Sequence, residues 1–270
     1  MNKSAIIKHS LLLKIHDMKK LLIPLLLLAF SMSYGQTNYY TKNNGILLNE
    51  KEVKVLFEKS LKTLPPKFSL TPTIYHKIVT NDSIINYLAF SARRSDSIIN
   101  NNKFEFVFEQ DPLFLMLNKK LPEFKLKDIN GIEFSSSQLI GKPTLLNYWA
   151  IYCPPCVAEI PDLNKLKEKY DDKMNFVALT ENTCQRDDLK KFLDTHPFNF
   201  TMLQDAEYYK EEIKIGPIPR NLFIDKEGYI RYIQGNYPLI ENGSVPLNDS
   251  ANYFVRIIDE LIERQQLVTQ

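Results

Sequence analysis

The stretch Tyr148-Trp149-Ala150-Ile151-Tyr152-Cys153-Pro154-Pro155-Cys156-Val157-Ala158-Glu159-Ile160-Pro161 limits the folds open to this chain. Thr144 to Trp149 is an apolar run too short for a helix of its own, and it reads as a buried strand. Pro154 and Pro155 fit the first turn of a helix and nothing deeper in one. The order is therefore strand, sharp turn, helix, with two cysteines three residues apart at the helix start. Such thiols can face each other and close a small disulfide ring. A thiolate, not a thiol, attacks disulfides. A helix N-terminus favours an anion by about 0.3–1 kcal/mol, or up to about 2 kcal/mol when partly buried. That lowers a free cysteine's pKa of about 8.5 by roughly one unit. The prolines bring no N–H to such a thiolate, but the backbone N–H of Cys156 can reach it.

The same pair could be half of a zinc site. Zinc needs two further ligands at matching spacing. Cys184 stands alone, and His9, His16, His76 and His196 form no ligand pair. A purely structural bridge this tight would tie together little chain. Redox chemistry without metal or cofactor is the expectation. Cys184, in a loop after a strand, is expected to be buried and inert, with a mixed disulfide as the alternative.

Compartment matters to such a pair, because disulfides persist outside the cytosol. Met18-Lys19-Lys20 begins a basic region, Leu21 to Phe30 is an apolar run broken by Pro24, and Ser31 to Gly35 supplies small residues. This pattern predicts a secretory signal over residues 1–35, starting at Met18 and cleaved near Gly35. The expected location is the periplasm, or its membrane surface if the signal stays attached. The chain is 270 residues long and 44% hydrophobic, ample for a core. A net charge of +2, with no basic stripe, predicts no nucleic-acid partner.

Residues 36–118 read as a small α+β module. Glu50 to Leu64 has helical spacing and ends at Pro65-Pro66. Thr73 to Val79 and Ile84 to Phe90 predict a hairpin, and Phe104 to Glu109 alternates like a strand. In 119–270, Asn130-Gly131 predicts a hairpin turn. Further strands are expected at Asn175–Thr180 and Phe198–Leu203, with helices up to about Tyr170, over Asp187–Asp194 and over Ala206–Glu212. A hairpin turning at Asp225–Gly228, a polar loop over Asn236–Ser250 and a closing helix over Ala251–Gln266 complete the chain. This order predicts an α/β sandwich with a mixed central sheet flanked by helices.

Several ordered features carry a resemblance over residues 120–266: Leu121-Pro122-Glu123-Phe124, Asn147-Tyr148-Trp149-Ala150, Cys153-Pro154-Pro155-Cys156, Glu159 with Pro161, and Pro219 before Leu222-Phe223-Ile224-Asp225. Together they resemble the thioredoxin-like fold, and within it the exported TlpA/ResA-type thiol–disulfide oxidoreductases. The resemblance implies that Cys153 attacks and Cys156 resolves. It implies that Pro219 is a cis-proline facing them, with Ile218 beside it. Trp149, Tyr152, Pro154, Pro155, Ile218 and Pro219 become candidate substrate contacts. Glu159 becomes a candidate for proton transfer, with a solvated helix face as the competing reading. Asn147 stands where thioredoxins proper carry a buried aspartate. The implied partners are protein disulfide substrates and a membrane thiol reductant. A thiol peroxidase of the peroxiredoxin kind, and an envelope protein that binds partners through its N-terminal region, are the alternatives.

Overall fold

The structure, a computed structural model, describes residues 36–94, 102–240 and 243–267. The secretory signal expected over 1–35 lies outside them. Two compact units divide the chain. Residues 78–84 belong to the smaller one together with 36–38, and 39–77 with 85–270 form the larger. In the smaller, the N–H of Thr37 donates to the Asp82 carbonyl at 3.0 Å, and the Thr80 hydroxyl donates to the Ser83 carbonyl at 3.0 Å.

The first strands are β1 (Thr37–Thr41), β2 (Phe68–Val79), β3 (Ser83–Arg94) and β4 (Val107–Phe108), arranged β1-β3-β2-β4. Helix α1 (Glu50–Lys62) buries Val53 and Phe57. It starts in a capping box. Asn49 Oδ1 accepts from the Glu52 N–H at 3.1 Å, and Glu52 Oε2 accepts from the Asn49 N–H at 2.7 Å. Asn49→Ala should lower unfolding stability by about 1 kcal/mol. A urea titration checks this, and an unchanged midpoint would refute the cap's contribution.

The alternating Phe104–Glu109 segment forms less strand than expected, since only Val107 and Phe108 pair, in parallel with Thr73 and Ile74. Phe104 stacks edge-on against Phe57, and Phe106 lies flat on Tyr40 with centroids 4.7 Å apart. The period-two pattern thus marks a half-buried extended segment held by rings rather than by a ladder.

The larger sheet has seven strands: β5 (Lys125–Asp128), β6 (Glu133–Ser135), β7 (Thr144–Trp149), β8 (Asn175–Thr180), β9 (Thr201–Gln204), β10 (Arg220–Ile224) and β11 (Ile230–Gln234). Their order is β11-β10-β7-β8-β9-β5-β6. β7, β8 and β9 run parallel, while β10, β11, β5 and β6 are antiparallel to their neighbours. Strand β7 has a neighbour on each side and all six of its residues are buried, which is why its sequence does not alternate and is mostly apolar. The crossovers are α2 (Pro154–Tyr170) between β7 and β8, and α3 (Leu189–Thr195) between β8 and β9. Helix α4 (Glu207–Glu212) precedes β10, and α5 (Tyr253–Leu267) closes the chain. Ile160, Leu163 and Leu166 of α2 share one core with Phe254, Ile258 and Leu261 of α5. The expected sandwich with a mixed sheet is present.

Two turns match their residues closely. Gly131, at φ +85°, follows Asn130 in the β5–β6 turn, where Asp128 Oδ1 accepts from the N–H groups of Asn130 and Ile132. Asp225 does the same for Glu227 and Tyr229 in the β10–β11 turn. The polar stretch 236–250, expected as loop, contains a short hairpin of β12 (Leu239–Ile240) and β13 (Gly243–Ser244). No helix among the described residues is long and apolar enough to cross a membrane.

Candidate active site

Strand β7 delivers the chain to the turn and α2 carries it away. Cys153 is the N-cap residue of α2, and Pro154 and Pro155 fill its first turn, where a missing N–H leaves nothing unsatisfied. Cys153 and Cys156 form a disulfide, with Cα atoms 5.3 Å apart. The N–H of Cys156 donates to Cys153 Sγ at 3.3 Å. That donor would remain in place for a thiolate once the bond is reduced. Cys153 is the more accessible sulfur, 7% exposed against 1% for Cys156.

The bond between Ile218 and Pro219 is cis. The carbonyl oxygen of Ile218 lies 3.8 Å from Cys153 Sγ, so the loop before β10 faces the cysteine pair. Pro154, Pro155 and Tyr152 are exposed around the disulfide, Ile218 is half-buried and Pro219 is buried. The Tyr152 hydroxyl bonds to Glu181, whose other oxygen accepts from Lys210 Nζ at 2.9 Å.

Trp149 does not fit its expected role as a substrate contact. It is fully buried, its ring meets Phe192 and Phe198, and its Nε1–H donates to Met202 Sδ at 3.4 Å. The indole is core beneath the turn, which no substrate can reach. Cys184 is half-buried, with Sγ 3.8 Å from the Ile129 carbonyl, and is the one free cysteine among the described residues. Those residues contain no group of three or more His, Cys, Asp or Glu side chains placed to hold a metal.

Glu159 overturns the solvated-face reading. It is 4% exposed, on the same side of α2 as Cys156 one turn earlier. Its Oε1 accepts from Asn147 Nδ2 at 2.9 Å and from Asn221 Nδ2 at 3.4 Å, and its Oε2 accepts from the Tyr237 N–H at 2.7 Å. Burial pushes its carboxyl up to about 7, against the pull of the Tyr237, Asn221 and Asn147 hydrogen bonds. Asn147 Nδ2 also donates to Asn221 Oδ1 at 2.9 Å, while Asn147 Oδ1 is buried with no partner. A protonated Glu159 has a hydrogen to give.

Sequence reasoning missed three residues here. Asn221, directly opposite Asn147 in the β10–β7 register, joins the Glu159 cluster. Tyr237 supplies a backbone donor from a segment read as loop. Asn182 accepts from the Ile151 N–H at 3.0 Å and so holds the turn from the end of β8. No motif signals them, because each is a lone polar residue whose partner lies far along the chain.

Residues 117–233 match the family model described as AhpC/TSA family. "Thioredoxin-like protein YneN" of Bacillus subtilis is 31% identical over 117 residues, covering 43% of this chain and 69% of that protein. "Thiol-disulfide oxidoreductase ResA" of Oceanobacillus iheyensis is 32% identical over 136 residues, 48% of this chain and 70% of the relative. Among solved structures, one described as a thiol:disulfide interchange protein from Bacteroides sp. has a TM-score of 0.44 at 17% identity, over 54% of this chain and 90% of that one.

Proposed function

Because this chain belongs to the thioredoxin-like thiol–disulfide oxidoreductases, we propose that it exchanges its Cys153–Cys156 pair with disulfides of partner proteins outside the cytosol, and that it works as their reductant. The observation that carries this reading is the cysteine pair at the start of α2, with the Ile218 carbonyl 3.8 Å from Cys153 Sγ. The leader pattern at Met18–Gly35 supports export.

The proposed reaction has two steps. In the reduced protein the Cys153 thiolate attacks one sulfur of the substrate disulfide. A mixed disulfide forms and the other substrate sulfur leaves as a thiolate. Cys156 then gives up its proton and attacks Cys153 Sγ, releasing the second substrate thiolate and closing the bond seen here. Two electrons pass to the substrate, and a membrane thiol donor restores the dithiol. The helix start and the Cys156 N–H favour charge on Cys153. Cys156 is shut away from water, so its proton needs an acceptor inside the protein. Glu159 is a buried carboxyl poised near neutrality on the same helix face, and we assign it that part.

With dithiothreitol as electron source, the protein should reduce insulin disulfides, and Cys153→Ala should not. A potential near the roughly −270 mV of thioredoxin supports a reductant, and one near the roughly −120 mV of DsbA overturns that direction. Peroxide consumption that needs Cys153 but survives Cys156→Ala would instead establish the peroxidase alternative.

A further inference from the structure

Two segments flank Cys153: the turn that ends in Tyr152, and the loop whose Ile218 carbonyl faces the sulfur. One side chain links them, and the exchange above leaves it unused. Glu181, the residue after β8, accepts from the Tyr152 hydroxyl at Oε1 and from Lys210 Nζ at Oε2, the latter at 2.9 Å. Lys210 lies on α4, and its carbonyl accepts from the Ile215 N–H at 2.9 Å, three residues before Ile218. A continuous line of contacts therefore runs from Tyr152 through one carboxylate to the chain that enters the Ile218–Pro219 loop. The carboxylate stands on fixed backbone. The Glu181 carbonyl accepts from Arg186 Nη2 at 2.6 Å. On its two sides, the Thr180 carbonyl accepts from the Ala206 N–H at 2.9 Å, and Asn182 Oδ1 accepts from the Ile151 N–H at 3.0 Å.

We propose that Glu181 is a positioning residue for the exchange: its carboxylate holds the Tyr152 ring beside Cys153 and ties it to the approach to the Ile218–Pro219 loop. The proposal rests on the exchange reading above. Tyr152 is 60% exposed, and an exposed ring with no tether changes rotamer in picoseconds to nanoseconds. The bond to Glu181 restrains it. The side chains of Lys210 and Glu181 are 24% and 17% exposed, so water competes for this pair less than for one on the open surface. A carboxylate accepts at both oxygens, whereas a neutral amide accepts at one. An acid therefore serves where two donors converge. Ordering the ring before a substrate arrives spares that cost at the encounter, when the disulfide must meet Cys153 in the right geometry.

The test uses the full chain, labelled with 3-fluorotyrosine, and insulin as the disulfide substrate. Tyr152→Phe identifies the Tyr152 fluorine signal by its loss. Glu181→Ala should move that signal, and so should Lys210→Met, which reaches Tyr152 through Glu181. Glu181→Ala should also lower kcat/KM for insulin by about tenfold, short of the roughly hundredfold that an ångström of misplacement can cost. Tyr152→Phe and Lys210→Met should each cost about threefold alone, and less than about 1.5-fold once Glu181 is alanine, because the link they act through is gone. A glutamate that only stabilises the fold shows no such dependence. Glu181→Gln keeps the volume and an acceptor for Tyr152 but loses the charge that holds Lys210, so its loss should lie between those of the native chain and Glu181→Ala. It decides the matter if Glu181→Ala does not fold: an unmoved signal with an unchanged kcat/KM overturns the proposal. A Tyr152 signal that ignores Glu181 and Lys210, or single effects that persist in full in the Glu181→Ala protein, overturns it as well. If the native chain reduces no insulin through Cys153, the exchange reading falls and takes this role for Glu181 with it.

Discussion

Cys156→Ala is expected to accumulate covalent adducts with substrate proteins on Cys153, visible as slow bands on a non-reducing gel and removed by dithiothreitol. Cys153→Ala should show none. The cause is the difference between the two sulfurs. Cys153 is the more accessible one, at the helix N-cap with the Cys156 N–H 3.3 Å away, and the proposed exchange gives it the first bond. Only Cys156 is placed to break it, because the two Cα atoms are 5.3 Å apart and the turn holds the sulfurs face to face. Well-oriented intramolecular groups reach effective concentrations of about 10⁵ M or more. No external thiol replaces that, so turnover of a protein disulfide should fall by about a thousandfold or more while the adduct persists. Adducts on Cys156 in the Cys153→Ala protein, and none on Cys153 in the Cys156→Ala protein, would reverse the assigned order of attack.

The pair, its turn and its strand were legible because each rests on local chemistry. A mostly apolar run too short for a helix reads as a strand buried on both faces, and β7, with all six residues buried and Asn147 among them, is that strand. Prolines after a cysteine locate a helix start to the residue. Asn130-Gly131 places a hairpin. What stayed hidden depends on partners brought from elsewhere. Glu159 looks in sequence like one more charged residue on a helix. It becomes a buried carboxyl because Asn147 from β7, Asn221 from β10 and the Tyr237 backbone converge on it. Trp149 sits beside the motif in sequence, yet it ends β7, which is buried on both faces, while Tyr152 lies on the exposed turn beyond the strand. The short β12–β13 pair has too few residues to show a period. The Phe104–Glu109 alternation predicts a strand with one buried face; Phe104 and Phe106 are half-buried, but Phe108 is exposed and only Val107 and Phe108 pair.

The buried carboxyl leads to the second large effect. Glu159 holds its proton up to about pH 7 in the folded chain, against an ordinary value of 4.5. In the unfolded chain that proton is gone well below neutrality. Between the two values the folded state binds more protons at this site, so the contribution of Glu159 to stability is fully present below about pH 4.5 and is lost as pH rises through 7. At roughly 1.4 kcal/mol per unit, the loss over this window is about 3 kcal/mol. Glu159→Gln removes the titration. It faces the Tyr237 N–H with one acceptor fewer, so the variant starts less stable. Its urea midpoint should nevertheless be flatter with pH than the wild type's, measured on the oxidised protein so that Cys156 cannot titrate. In the reduced protein, release of the second substrate thiol should slow and lose its rise near pH 7, while the first attack by Cys153 keeps its own profile. Stability curves that run parallel from pH 4.5 to 8, with an unchanged profile for the second step, would remove Glu159 from the proton path and leave it a structural tie between α2, β7 and β10.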